Sequence, residues 1–167
     1  MSTPEIRPEE RLAELGFELP KAAAAAANYV PFVVSGNHLF IAGQIPFLNG
    51  EKMHVGRVGD TLTVEQGQEA AKACALNILA QAKAAVEGDW SRIVRCVKLG
   101  GFVNAGPDFD QHPAVINGAS DIMVAALGEA GRHARFAVGA SNLPFGVAVE
   151  IDAIFEITSD SDIILFS

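Results

Sequence analysis

The sequence predicts an α+β domain in which a single β-sheet is covered on one face by two helices. Two stretches repeat apolar residues at intervals of three and four, the spacing of an amphipathic helix. Several shorter stretches are rich in Val, Ile and Phe and are bounded by Gly and Asn, which is typical of strands and tight turns. With 167 residues, half of them apolar, the chain has the size of one domain with a sizeable core.

The first half of the chain is predicted to contain a short helix and a β-hairpin. The pattern predicts a helix over residues 8–15 and strands over 32–35 and 38–44, with an alanine-rich connector after the helix. The helix is expected to end at Gly16, a residue typical of helix C-termini. Gly36-Asn37 separates the two strands, and both residue types tolerate the positive φ of a two-residue turn, which favours a hairpin.

Two long helices follow, with a strand between them. The helical spacing covers residues 64–87 and about 113–129, and the β-rich stretch between them covers 93–103. Thr63 followed by Gln66 resembles a capping box at the start of the first of these helices. Gly100-Gly101 interrupts the strand and indicates a bulge or the close approach of another group.

The last segment, from Arg132 to Ile157, is predicted to form a second hairpin around a Pro/Gly turn. Strand alternation is expected to place Arg135 on one face, and Glu150 and Asp152 together on one face of the final strand. One face of this hairpin would then hold a guanidinium and carboxylates beside small residues. Such a face is either a solvent-exposed ion pair or a site where Arg binds the carboxylate of a ligand through two parallel hydrogen bonds.

The predicted strands carry apolar residues on both faces. Val, Ile or Phe occupies odd and even positions in the stretches FVV, LFIA and AVEIDAIFEI. Two helices can cover only one face of a sheet, so the other apolar face would stay exposed in a monomer. The sequence therefore predicts an oligomer in which another subunit covers that face.

Charge and composition argue against several classes of partner. The net charge is −8 and the 12 Lys and Arg residues are scattered, so we expect no nucleic-acid binding. No apolar run approaches the roughly 20 residues of a membrane span, and no secretory signal is recognisable. Cys74 and Cys96 lie in apolar company and are expected to be buried free thiols, which suits a cytoplasmic protein.

Metal and nucleotide motifs are also missing from the sequence. The four His residues and two Cys residues have no metal-ligand spacing, and neither a Walker loop nor a dinucleotide fingerprint occurs. We therefore expect no metal and no cofactor. His133, two residues before Arg135, is expected to be a surface histidine at the end of a strand, with a pocket residue as the alternative.

The closing segment resembles the C-terminal signature of the YjgF/RidA family. That signature has Ala-Arg, then Leu-Pro nine residues after the Arg, then a run similar to Val-Glu-Ile-Glu-Ala-Ile. The matching positions here are Ala134-Arg135, Leu143-Pro144 and residues 149–154. Upstream, the family's Tyr, Gly-Asn, Ser-Gly-Gln-Ile and helical Asn are matched by Tyr29, Gly36-Asn37, Ala42-Gly43-Gln44-Ile45 and Asn117.

The resemblance implies a chorismate-mutase-like fold with a mixed sheet. It covers about residues 28–157, preceded by an N-terminal helix and alanine-rich extension over 1–27 and followed by a tail over 158–167. It also implies a homotrimer whose sheets form a central barrel, with ligand pockets between subunits. The implied activity is the hydrolysis of reactive enamines and imines to 2-oxo acids and ammonia, without a metal or cofactor.

The resemblance further implies roles for five residues. Arg135 would hold the substrate carboxylate, and Glu150 would position or activate water near the imine carbon. The backbone at Gly43 would approach the ligand closely, because a side chain there would fill the space. Tyr29 and Asn117 would line the pocket. The simpler alternatives are interface packing for Tyr29, a helix cap or kink for Asn117, and a strand bend for Gly43.

Two departures from the family pattern bear on the substrate. Ala42 stands where the family has Ser, and Ala137 stands where a Cys is often found. Neither departure removes the Arg–Glu pair. The alternative function is a non-catalytic trimer that binds small carboxylates as a sensor or scavenger. A ribonuclease is the weakest candidate, because the chain is acidic and lacks paired catalytic histidines.

Overall fold

A computed structural model of the chain describes residues 7–24 and 27–159, so most of the predicted C-terminal tail lies outside the described residues. The helices are α1 (Pro8–Glu14), α2 (Val64–Ala85) and α3 (His112–Leu127). The strands are β1 (Phe32–Ser35), β2 (His38–Gln44), β3 (Phe47–Leu48), β4 (Glu51–Lys52), β5 (Ile93–Asn104), β6 (Ala134–Ala140) and β7 (Val149–Ile157). Short 3-10 turns occupy Trp90–Arg92, Gly128–Gly131 and Pro144–Gly146.

Five strands form one mixed sheet in the order β1-β2-β7-β5-β6. β5 runs parallel to β6 and antiparallel to β7, and β2 is antiparallel to both β1 and β7. The predicted first hairpin is confirmed, because β1 and β2 pair directly on either side of Gly36-Asn37. The α+β fold class with a mixed sheet is also confirmed.

The predicted closing hairpin is wrong, because β6 and β7 do not pair with each other. β5 lies between them in the sheet and forms hydrogen bonds with both. The connection from β5 through α3 to β6 is a crossover, and a crossover returns the chain parallel to the strand it left. β6 therefore takes one side of β5 and leaves the other side to β7. The Pro144–Gly146 turn belongs to the loop that carries the chain past β5.

The two long helices pack side by side on one face of the sheet. The predicted capping box begins α2: the amide of Gln66 donates to Thr63 Oγ1 at 3.1 Å, and the amide of Thr63 donates to Gln66 Oε1 at 2.9 Å. Both helices end within two residues of their predicted bounds, which is the ordinary uncertainty of helix ends. Among the described residues, no helix is long and apolar enough to cross a membrane.

The core lies between these helices and the sheet, and α1 closes one end of it. Its largest fully buried side chains come from all three helices and from the central strands: Leu12, Leu39, Ile78, Leu79, Leu99, Ile116, Met123, Ile151 and Phe155. α3 packs tightly against the backbone of α2 at Gly118. A Cβ there would overlap the backbone carbonyl oxygen of Gln68, so only glycine permits this contact.

No helix of the described residues covers the other face of the sheet, which we call the open face. It carries apolar side chains that are exposed by 40–44%, namely Phe40, Phe102 and Val138. The strand register places Glu150 beside Phe102 on this face, and Asp152 follows two residues later. The expected apolar character of both sheet faces is therefore confirmed. The subunit that would cover the open face stays a prediction.

Replacing Gly118 with alanine is expected to destabilise the fold, although alanine is normally the better helix former by about 1 kcal/mol. The new methyl group would press on the backbone of α2 at Gln68, which cannot swing aside. Overpacking of this kind costs on the order of 1–3 kcal/mol. Urea unfolding should therefore show a lower midpoint for Gly118→Ala. Gly106→Ala is the control, because a Cβ there meets nothing within 4 Å. A variant at position 118 as stable as wild type would contradict the close contact.

Candidate functional site

The predicted site residues fall into two groups on opposite faces of the sheet. The glutamate cluster comprises Glu150, Gly43 and Asp152 and lies on the open face. The arginine cluster comprises Arg135, Asn117, Ser120 and His133 and lies between β6 and α3. Each cluster combines residues from two elements that are distant in the sequence and adjacent in the fold.

Glu150 lies on β7 and is half-buried. The register between β2 and β7 shifts between Ile41 and Gln44, so Gly43 lies in a β-bulge next to the carboxylate. A Cβ at Gly43 would be 2.5 Å from Glu150 Oε1. The absence of a side chain at Gly43 thus leaves room for the carboxylate of Glu150. The predicted close approach of the Gly43 backbone to a ligand stays a prediction.

The electrostatic environment of Glu150 favours its neutral form. Burial raises the pKa of this carboxyl above its ordinary value, and the nearby charge of Asp152 raises it further. Behind it in the core, Cys74 Sγ is 3.9 Å from the carbonyl oxygen of Val149. Burial, with a smaller contribution from Glu150, raises the pKa of the Cys74 thiol far above its usual range. Cys74 is therefore a buried neutral thiol, as predicted.

Arg135 lies on β6 with its side chain directed towards α3. Its Nη1 donates to Ser120 Oγ at 3.1 Å, and its Nη2 donates to the backbone carbonyl of Pro113 at 3.2 Å. Pro113, Asn117 and Ser120 share one stripe of α3 by their spacing of four and three. Asn117 is exposed on this stripe, between the two residues of α3 that hold the guanidinium. Its predicted place in a ligand pocket stays a prediction.

His133 and Ser120 are members of this cluster that the sequence interpretation undervalued or missed. His133 is half-buried, with Nε2 at 2.9 Å from Ser120 Oγ and Nδ1 at 2.6 Å from the carbonyl oxygen of Gly131. His133 stands at the end of a strand, as expected, but it is half-buried and hydrogen-bonded rather than a free surface side chain. The signals that could have found the pair are the position of Ser120 three residues after Asn117 and that of His133 two residues before Arg135.

Tyr29 lies in a bend before β1 and is 56% exposed. The amide of Ala42 donates to the carbonyl of Pro31 at 3.0 Å, which places this segment beside the end of β2 that carries Gly43. Tyr29 is thus two residues from a backbone hydrogen bond that adjoins Gly43. Its exposure fits either of the two predicted roles, pocket lining or subunit packing.

Arg135 and Glu150 do not meet within one chain. The register places Arg135 level with Leu99 and Ala153, which are buried beneath the helices, whereas Glu150 is level with Phe102 on the open face. Neighbouring strands are about 4.8 Å apart, so β6 and β7 are roughly 10 Å apart with β5 between them. The predicted arrangement of both charges on one hairpin face is therefore wrong. The ion-pair alternative for Arg135 is also wrong, since no carboxylate in 7–24 or 27–159 pairs with it.

The described part of the chain holds no group of three or more His, Cys, Asp or Glu side chains arranged to bind a metal ion. The polar groups at the two clusters are a guanidinium, an imidazole, a hydroxyl, an amide and carboxylates. These groups can bind an anionic ligand and exchange protons with it.

Comparison with known proteins finds relatives that match most of the chain. A family model described as "YjgF/chorismate mutase-like, putative endoribonuclease" matches residues 9–155. Protein TCP17 of Trypanosoma cruzi is 49% identical over 149 residues, which are 89% of this chain and 92% of that protein. The crystal structure of Atu1372 from Agrobacterium tumefaciens, a protein of unknown function, is 54% identical with a TM-score of 0.86 and covers 90% of this chain and 92% of its own. RidA from an Antarctic Psychrobacter is 32% identical with a TM-score of 0.55, covering 82% and 94%.

Replacing Asp152 with asparagine should lower the pKa of Glu150, because the substitution removes a like charge that raises it. The pKa should stay above that of a free glutamate, since burial is the larger cause. A raised carboxyl pKa makes its contribution to stability favourable at low pH and lost as pH rises through the folded-state pKa. Between the ordinary pKa of a glutamate and the raised pKa of Glu150 in the folded protein, the free energy of unfolding should therefore fall less with rising pH in Asp152→Asn than in wild type.

The measurement is a carbon-13 NMR titration of the Glu150 carboxyl. Glu156→Gln is the matched control, because Glu156 lies on the same strand face but does not contribute to the raised pKa of Glu150. An unchanged titration midpoint in Asp152→Asn would contradict the assigned coupling between the two carboxyls.

Proposed function

The chain belongs to the YjgF/RidA family, and we propose that it hydrolyses reactive imines and enamines of 2-oxo acids at a site completed by two copies of the chain. The observation that carries this proposal is the Glu150 carboxyl, which is half-buried on the open face and has a raised pKa. Its neighbour Gly43 has no side chain that would collide with it. A titratable group of this kind, next to open space, suits general acid–base work on a small ligand.

In the proposed site, Glu150 of one copy faces Arg135 of another. One chain cannot bring the two residues to one ligand, because they lie on opposite faces of the sheet. The exposed apolar side chains of the open face favour its contact with a second copy. A trimer closed by such contacts would repeat the same pairing of clusters at each subunit boundary.

The two clusters would divide the reaction between binding and proton transfer. Arg135 would hold the substrate carboxylate through two parallel hydrogen bonds, with Asn117 beside it. Glu150 in its carboxylate form would accept a proton from the water that adds to the imine carbon. The imine nitrogen gains protons as the carbon–nitrogen bond breaks, so that imine and water become 2-oxo acid and ammonia. For an enamine, the protonated form of Glu150 would first donate a proton to carbon.

Two other functions remain as alternatives. A trimer that only binds small carboxylates is favoured by Ala42 and Ala137, the two positions where the chain departs from the family pattern. The family description also names an endoribonuclease, but a net charge of −8 without a basic stripe disfavours contact with a phosphate backbone. Ribonuclease activity is therefore the weakest of the three.

The roles of Arg135 and Glu150 predict two different mutant phenotypes. Arg135→Ala should lose most of its affinity for a small 2-oxo acid, on the order of 2–5 kcal/mol for a desolvated contact. Arg135→Lys should recover little, since a point charge cannot reproduce a two-pronged contact. Glu150→Gln keeps the shape of the side chain but removes the base, so binding should survive while hydrolysis falls roughly 10²–10⁴-fold.

Titration calorimetry with 2-oxobutyrate measures binding, and ammonia release from 2-imino acids generated by an L-amino-acid oxidase measures turnover above the spontaneous rate. A protein that only binds carboxylates would lose affinity for 2-oxobutyrate in Arg135→Ala, but the wild type would show no imine hydrolysis above the spontaneous rate. If Arg135→Ala bound 2-oxobutyrate as tightly as wild type, the assignment of Arg135 to the carboxylate would be wrong.

The composite site predicts recovery of activity when two inactive variants are mixed. Arg135→Ala supplies an intact Glu150, and Glu150→Gln supplies an intact Arg135, so mixed trimers would contain sites with both groups. Random assortment would restore about a quarter of the sites. Co-expression with two different tags isolates the mixed assemblies, and sedimentation should give roughly 52 kDa, three times the 17.5 kDa of one chain. A stable monomer at micromolar concentration, or mixed assemblies as inactive as the parents, would refute the shared site.

A further inference from the structure

We propose that Ser120 and His133 are positioning residues, which hold the Arg135 guanidinium in the orientation that binds a ligand carboxylate. The inference rests on the proposed function in taking Arg135 as the carboxylate-binding group. It adds two side chains, neither of which is expected to touch the ligand, that act on it through Arg135.

The hydrogen bonds of this cluster have one consistent direction. The carbonyl of Gly131 can only accept, so the 2.6 Å contact requires that Nδ1 of His133 carries the proton. In a neutral ring Nε2 is then an acceptor, and the hydroxyl of Ser120 must donate to it across 2.9 Å. The lone pairs of Ser120 Oγ remain free to accept from Arg135 Nη1 at 3.1 Å. The tautomer of His133 therefore determines how Ser120 is turned towards Arg135.

The groups that hold Arg135 are all neutral. The guanidinium has five N–H donors, and two of them are used by Ser120 Oγ and the carbonyl of Pro113, which leaves three for other acceptors. Nearby, Arg132 Nε is paired with Glu129 Oε1 at 3.2 Å. A carboxylate partner of that kind would neutralise Arg135 and compete with an anionic ligand. Neutral acceptors fix the side chain and leave its full charge for the ligand.

The anchor of this chain of hydrogen bonds is itself fixed by packing. Gly131 is buried, and a Cβ there would overlap the backbone carbonyl of Met123 in α3. Its carbonyl therefore has little freedom to move relative to α3, the helix that also carries Ser120 and the carbonyl of Pro113. The carbonyl of Gly131 and the two α3 groups that accept from Arg135 are thus all fixed relative to α3. An arginine side chain that is already held in place loses less conformational entropy when it binds a ligand.

The experiment compares Ser120→Ala and His133→Ala with wild type in two measurements, the Kd for 2-oxobutyrate and the steady-state kinetics of imine hydrolysis. Loss of one hydrogen bond should raise Kd and KM by roughly 2- to 13-fold and leave kcat within about twofold, because the interaction supports binding rather than the chemical step. Ser120→Thr and His133→Gln keep a hydroxyl and an acceptor at those positions and should recover most of the affinity.

The decisive variant combines Ser120→Ala with Arg135→Ala. If Ser120 acts through Arg135, the double variant should bind no more weakly than Arg135→Ala alone. Ser35→Ala is the hydroxyl control: it lies on β1 at the far edge of the sheet, and none of the hydrogen bonds found among the described residues involves its hydroxyl. Circular dichroism checks that each variant is folded, and the Thr and Gln variants keep the test valid if an alanine variant is not.

Three outcomes would overturn the inference, and the first two separate it from the proposed function. Normal affinity in folded Ser120→Ala and His133→Ala, with loss in Arg135→Ala, would refute the positioning role and leave the function standing. Normal affinity in all three variants would refute both. An additive loss in the double variant would also refute the inference, because Ser120 would then act independently of Arg135.

Discussion

β5 forms hydrogen bonds with β6 on one side and with β7 on the other, and this pairing decides which side chains can cooperate. It separates Arg135 from Glu150 by two strand spacings and, through the register, by the thickness of the sheet. The same pairing brings Glu150 against the bulge at Gly43 and Arg135 under α3. The sheet order thus produces two incomplete clusters in place of one complete site, and a second copy is the simplest way to complete them.

Glycines occur where a side chain from a neighbouring element lies against a strand, and large apolar residues occur where the core is filled. Gly43 makes room for the carboxylate of Glu150, and Gly139 makes room for the ring of His112 at the start of α3. On the buried side of the same sheet, Leu99, Ile151 and Phe155 are fully enclosed. A strand such as β7 therefore serves two purposes, since its odd-numbered residues stabilise the fold and its even-numbered residues form the open face.

Local features could be predicted from the sequence, whereas partners distant in the chain could not. The capping box at Thr63 and the turn at Gly36-Asn37 involve neighbours within a few residues, so the local sequence is enough to predict both. The turn at Pro144–Gly146 has the composition of a hairpin turn, yet pairing is decided by the crossover through α3, which no local pattern records. Ser120 and His133 contact each other only because α3 lies across β6. The family signature identified Arg135 and Glu150 but not which faces they occupy.

The proposed assembly would apply two opposing effects to Glu150. Contact with a second copy buries more of the open face, and burial raises the pKa of a carboxyl. Arg135 of that copy would bring a positive charge, which lowers the pKa. When a substrate carboxylate binds Arg135, it would cancel much of that positive charge, so the pKa of Glu150 would rise again as the site fills. Binding would thus shift Glu150 towards the carboxylic acid, which takes its proton from solvent and can then donate it to the carbon of an enamine.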